Sequence, residues 1–409
     1  MFEAWRIVYF GKVYYIIKVI KLIEGLIFLN RFQQWWGTPL KLVNRVVNRK
    51  ISWLELFSDL AYVVMLHTLI TSFLRAEHHY SVWYFILFFL LTFYIWTDFT
   101  LFFDLHGSHS ARTTIITLIQ MISVLAISTR FPLIFAGQLR SFIYIYIFVQ
   151  VVMIYLWTLV LRIDPEHWES ARLYLICAWL ALFMLIGCLF FGHQAQITLL
   201  VLVTIIKYSV MLFNSPFMNN EMKRRKIEIE ESEAIEERYG EFAMIVLGEA
   251  TAIATEYLTG KSDLTHIVVF ILVVLNVIGI WWIYYAFMDS IVLRPSHYIW
   301  VEILHSFHEL LITVLALMAL FLYEVLEDPS ELTLILYILS LLASIVVIFC
   351  IKIYARREGK VSLMLAFIMG ITVFIIGRYL SEISILTIIN VFLALIIFIE
   401  ERRQVLESQ

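Results

Sequence analysis

The chain alternates long apolar runs with short polar punctuation. Twelve runs are read at 51–74, 82–104, 113–135, 140–162, 168–191, 196–213, 239–259, 265–289, 298–323, 331–354, 361–380 and 383–400. Most are close to the roughly 20 residues a helix needs to cross the hydrocarbon core of a bilayer. They are too rich in Phe, Trp and unbroken Ile/Leu for amphipathic helices with one wet face. They are also about twice the length of a barrel strand and do not alternate, which excludes a β-barrel. The pattern predicts an all-α, polytopic transmembrane helical bundle.

Residues 1–50 differ from the rest. Arg6, Lys18, Lys21 and Glu24 fall within about a third of the helical circumference at about 100° per residue, although Lys12 does not. This predicts an amphipathic segment lying in the membrane interface. The alternative is a thirteenth span with snorkelling lysines. Four basic residues by Lys21 and no small-residue cleavage site argue against a signal peptide.

Composition narrows the class. Of 409 residues 62% are hydrophobic and 15% charged, against about 45–50% and about 25% in soluble domains. With a mean hydropathy of +0.88, a water-soluble enzyme is excluded, and 16% aromatics exclude disorder. A net charge of −3 provides no basic field for nucleic acid. Cys177, Cys188 and Cys350 sit in apolar runs without a Cys-x-x-Cys, so neither a disulfide framework nor a structural zinc site is expected.

Charge then sets an orientation. With a cytoplasmic N-terminus, 25 of the 30 Lys and Arg residues fall in inside segments or at their edges and 5 on the outside, the bias of the positive-inside rule. Both termini are expected in the cytoplasm. Met222–Lys226, followed by Glu228, Glu230, Glu231, Glu233, Glu236 and Glu237, reads as a solvated charged helix. The alternative is a docking surface for a partner or for anionic lipid.

The chain also partly overlays itself at an offset of 185 residues. Phe85-Ile-Leu87 falls on Phe270-Ile-Leu272, Leu90 on Leu275, Ile95-Trp96 on Ile280-Trp281, Phe102 on Phe287 and Asp104 on Asp289. The expected organisation is an N-terminal segment (1–50), a six-helix repeat (51–213), a charged cytoplasmic linker (214–238), a second six-helix repeat (239–400) and a tail (401–409). Six is even, so the repeats share one orientation, as do the halves of some secondary transporters.

Trp53-Leu-Glu55-Leu-Phe57-Ser-Asp59-Leu resembles the W-L-E-L-F-x-D-L signature of the low-temperature-requirement A (LtrA) family. Asp98-Phe-Thr-Leu101 and Leu118-Ile-Gln120-Met resemble its second and third helices. Glu237-Arg238-Tyr-Gly-Glu-Phe242, followed by Ile245-Val-Leu-Gly248-Glu249, is similar to its E-R-F-G-x-F-x-x-I-V-L-G-E block, and Trp281-Trp282 and His305 fall where the family has W-W and a histidine. Ser58 departs from its usual Phe, and Thr97-Asp98 from its more frequent Asn. The resemblance implies a bacterial-type multi-pass inner-membrane protein, with no defined activity. On these motifs Trp53, Phe57, Arg238 and Gly248, and on their repetition at the 185 offset Trp96, Trp281, Asp104 and Asp289, are expected to be structural or orienting.

Ionisable groups in apolar spans cost at least about 2.5–3.5 kcal/mol each and mark functional sites by default. Glu55 and Asp59 share a face at i and i+4. Asp98 lies in the second span, Glu249 near the middle of the seventh, and Glu302, His305 and Glu309 form one stripe on the ninth. None of the midplane acids recurs at the 185 offset, which suits one asymmetric site between the halves. The competing view is that Glu55 with Arg238, or Asp59 with His305, only neutralise each other. His67 reads as a lumen-lining or interface histidine, and His106 and His109 as solvated. Glu302-x-x-His305 is not repeated on another helix, so a di-metal centre is not expected. Neither a cofactor nor a bound metal is expected.

These features point to an ion- or proton-coupled transporter of a small solute in the plasma membrane, with the bilayer and that solute as partners. A membrane-embedded enzyme acting on a lipid or other hydrophobic substrate, and a non-transporting sensor or assembly protein, remain the alternatives.

Overall fold

A lipid-embedded backbone must satisfy its own hydrogen bonds, and for these runs the helix is the solution. The computed structural model describes residues 34–46, 49–76, 81–108, 110–230, 232–288, 295–327, 330–356, 359–376 and 380–407. Among them are twelve long helices: α1 (Trp53–Leu74), α2 (Val82–His106), α3 (Ala111–Ser128), α4 (Arg140–Ile163), α5 (Trp168–Cys188), α6 (His193–Arg225), α7 (Glu233–Leu258), α8 (Leu264–Met288), α9 (Ile299–Glu327), α10 (Glu331–Arg356), α11 (Lys360–Ile376) and α12 (Glu382–Glu407). Ten of these, counted among the described residues, are long and apolar enough to cross a membrane. The other two are α7, which carries many charges, and the shorter α11.

Local chemistry sets the starts. Ser52 and Glu55 close a capping box at the head of α1, and the Ser110 hydroxyl accepts from the backbone of Thr113 at the head of α3. Inside the helices, hydroxyls such as those of Thr92, Ser128 and Thr204 donate back to the carbonyl four residues earlier.

Helix α2 is the centre of the bundle. It is apolar all round, the pattern of a helix without a wet face, and 89% of its most apolar stretch is buried. It packs against α1, α3, α4 and α6 of its own half and against α7 and α9 of the other. Within the first half α1 packs on α2 and α3, α4 on α3 and α5, α5 on α6, and α2 on α4 and α6. The second half pairs its helices correspondingly: α7 on α8 and α9, α10 on α9 and α11, α11 on α12, and α8 on α10 and α12. The halves meet where α1, α2 and α6 face α7 and α9.

The beginning of α1, the ends of α2, α4 and α6 and the beginning of α7 gather at one face, the charged end. Residues 34–46 lie there; residues 1–33, the greater part of the segment expected to lie in the membrane interface, fall outside the described residues. The Leu40 amide donates to the His106 carbonyl at 3.0 Å, the Leu42 amide to Asp164 at 3.0 Å, and Arg45 pairs with Asp104 at 2.8 Å. His106 was expected to be solvated. It is instead fully buried, because its ring bonds the Leu40 carbonyl and lies against Trp157; His109 is outside the described residues. The charged segment 214–238 is divided between neighbouring helices. Helix α6 runs on to Arg225, since the buried carboxylate of Glu221 collects His167, Ser170 and Arg225, and α7 begins at Glu233.

Candidate functional site

The spacing of Glu55 and Asp59 turns both carboxylates toward α7, where Arg238 lies 2.7 Å from Asp59 and 3.6 Å from Glu55. Trp96 of α2 donates its indole N–H to Asp59 at 2.9 Å, and the Arg238 guanidinium lies over the Trp96 ring. Arg49, just before α1, forks onto Glu55 with contacts of 2.8 and 3.0 Å. Such bidentate geometry is what an arginine offers a carboxylate. Three helices from both halves are thereby clamped around one buried pair. The second oxygen of Asp59, Oδ2, is buried and has no hydrogen-bond partner among the described residues.

Next to Arg238, Tyr239 carries the polar line onto α9. Its ring stacks on His308 at 5.2 Å and lies 5.6 Å from His305. His305 Nδ1 is 3.8 Å from Glu302, and Glu302, His305 and Glu309 are all buried. Both carboxylate oxygens of Glu302 and Oε1 of Glu309 lack a hydrogen-bond partner among the described residues. In the first half, Asp98 of α2 faces Lys207 of α6 at 3.7 Å, and the Lys207 ammonium sits 4.3 Å from the centre of the Tyr94 ring. Gln120 of α3 donates to the Tyr62 hydroxyl at 3.0 Å.

A separate pair lies further along α1 and α7. Glu249, 4% exposed, is 2.9 Å from Nδ1 of His67, whose side chain is 53% exposed. One partner is thus enclosed and the other open. His67, read from the sequence as a lumen-lining or interface histidine, lies at the contact between α1 and α7.

The structure places the other expected residues variously. Trp96, Arg238 and Asp104 are buried, and Asp104 takes Arg45 and the Ser232 hydroxyl. Trp53, Phe57 and Trp281 are exposed. Gly248 is exposed too, and a Cβ there would meet nothing within 4 Å. Asp289 lies outside the described residues. Trp96 and Trp281, which match at the 185 offset, thus occupy a core and a surface. Lys207 was not singled out from the sequence, although a lone lysine inside an apolar run is the signal of a buried partner, here Asp98. Among the described residues no group of three or more His, Cys, Asp or Glu side chains is arranged to hold a metal ion.

A family model described as bacterial low temperature requirement A protein (LtrA) matches residues 50–398. No curated protein and no solved structure matches the chain.

Proposed function

The chain belongs to the LtrA family, and from that premise we propose that it is an ion- or proton-coupled transporter of a small solute. In this reading the two sets of six helices are parallel repeats, both termini are cytoplasmic, and the protein resides in the plasma membrane. The matching helix pairings in the two halves support the repeats. The 25-to-5 division of basic residues supports the orientation.

One observation carries the functional reading: a buried carboxylate, Glu249, paired at 2.9 Å with a half-exposed imidazole, His67, across the two halves. A carboxylate and an imidazole in hydrogen-bond contact form a pair between which a proton can move. A pair with one exposed and one enclosed member, lying between α1 and α7, can exchange a proton between its two side chains. Asp59, Glu55 and Arg238 act as the clamp about which the halves bear on each other. Glu302, His305 and Glu309, with Asp98 and Lys207, supply the polar lining a solute or ion would meet. The alternating opening of the two ends would then change the access of these groups.

The test is flux. Purified protein in liposomes that contain nothing else should dissipate an imposed pH gradient faster than protein-free liposomes, in a manner that depends on an added solute or cation. Rates equal to those of protein-free liposomes across a panel of ions and small solutes would remove the transport reading.

A further inference from the structure

Between α1 and α7, toward the charged end, a groove of about 510 Å³ opens sideways. Its walls are Trp53, Leu56, Phe57, Leu60 and Ile245, and its floor holds Asp59 and Glu241. The volume is that of a small-molecule pocket, which runs to about 300–1,000 Å³. Trp53, Phe57 and Leu60 are 87%, 50% and 55% exposed, so the groove faces the surroundings of the bundle along its apolar lips. In a spanning bundle those surroundings are acyl chains.

The floor is polar and carries surplus charge. Asp59 is 4% exposed, and its Oδ2 has no hydrogen-bond partner among the described residues. Glu241 Oε2 is buried and equally without one. Glu241 lies within electrostatic reach of Asp59, Glu55, Glu237 and Arg238. Asp59, Glu55 and Glu241 thus stand against the two guanidiniums of Arg238 and Arg49, and Arg49 is already engaged by Glu55. An unpaired buried carboxylate oxygen is costly to leave so. A cation of apolar body would complete it, with its charge on the acids and its hydrocarbon against Leu60 and Ile245. Trp53 and Phe57 offer the aromatic faces that favour such cations.

We infer that this groove is a lateral binding site for a lipophilic organic cation, an amine or onium group on a hydrocarbon body, that enters from the bilayer. Anions of the same bulk are excluded by the acids, and hydrophilic amines gain nothing from the walls. The inference goes beyond the transport reading and does not need it, because binding is measured without flux.

The experiment uses the full chain in phosphatidylcholine nanodiscs and radiolabelled tetraphenylphosphonium as the probe. The expected result is saturable binding that decyltrimethylammonium displaces, whereas decyl sulfate and methylammonium do not. Leu60→Trp, at an exposed position, should fill the groove, and Glu241→Gln should remove charge from its floor. Each should weaken binding at least tenfold while leaving the melting temperature near that of the wild type. Asp59→Asn should weaken it as well, and the two other variants keep the test intact if that variant is poorly folded. Probe uptake that does not saturate, or that Leu60→Trp and Glu241→Gln leave unchanged, would overturn the assignment. Loss of flux with binding intact would count against the transport reading alone.

Discussion

Arg238 on α7 meets Asp59 on α1 at 2.7 Å, and the pair ties together the first helices of the two halves. Both side chains are buried, and the geometry is completed by the Trp96 N–H on Asp59. A buried charge pair is a weak source of stability in itself, but breaking it strands the remaining charge at a cost of about 3–5 kcal/mol.

Arg238→Met should therefore lower the melting temperature in detergent sharply. Asp59→Leu combined with Arg238→Met, which leaves neither charge stranded, should recover most of the loss. If the double variant is as unstable as the single one, the pair is not the clamp described above.

How far the sequence carried the reading varies with the element. The twelve apolar runs marked the helices because a lipid-embedded helix needs length and hydropathy above all, and both are local properties. The i, i+4 spacing of Glu55 and Asp59 placed them on one face without a structure. The partner of Glu249 was not legible in this way. His67 lies 182 residues away, and no local spacing or periodicity joins two residues so far apart in the chain. His106 was misjudged for a related reason. Polar residues beside a span read as solvated, yet here Asp104 and Asp164, themselves buried, draw Arg45 and the Leu42 amide inward. Trp281 was read from its match to Trp96. A repeat preserves position along a helix, whereas burial depends on what packs outside it, and α2 is enclosed by both halves.

Asp104 supplies the next prediction. Its carboxylate holds Arg45 at 2.8 Å and the Ser232 hydroxyl at 2.5 Å at the charged end. Asp104→Asn should cost about 1–3 kcal/mol of stability, the range for a buried partner left unsatisfied. It should leave pH-driven flux near the wild-type rate, because the residue is far along α2 from Glu249. A flux defect in a well-folded Asp104→Asn protein would extend the site to the charged end.

The orientation is open to direct labelling. Glu228 and Lys261 are both exposed and lie before and after α7. With Cys177, Cys188 and Cys350 replaced by serine, Glu228→Cys should react with a membrane-impermeant maleimide only in inverted vesicles, and Lys261→Cys only in intact cells. Labelling of both from one side would mean that α7 does not cross the membrane.

The proposed proton path rests on Glu249 and His67. The measurement that tests it most directly is pH-gradient-driven flux in proteoliposomes, with wild-type protein, Glu249→Gln and His67→Gln reconstituted at equal density. Glu249→Gln keeps the shape of the side chain and removes its titration, so the variant should fold normally and lose at least tenfold in flux. His67→Gln should lose less, because Glu249 keeps its own titratable carboxyl. A Glu249→Gln protein that is folded and carries protons or solute at the wild-type rate would contradict the account.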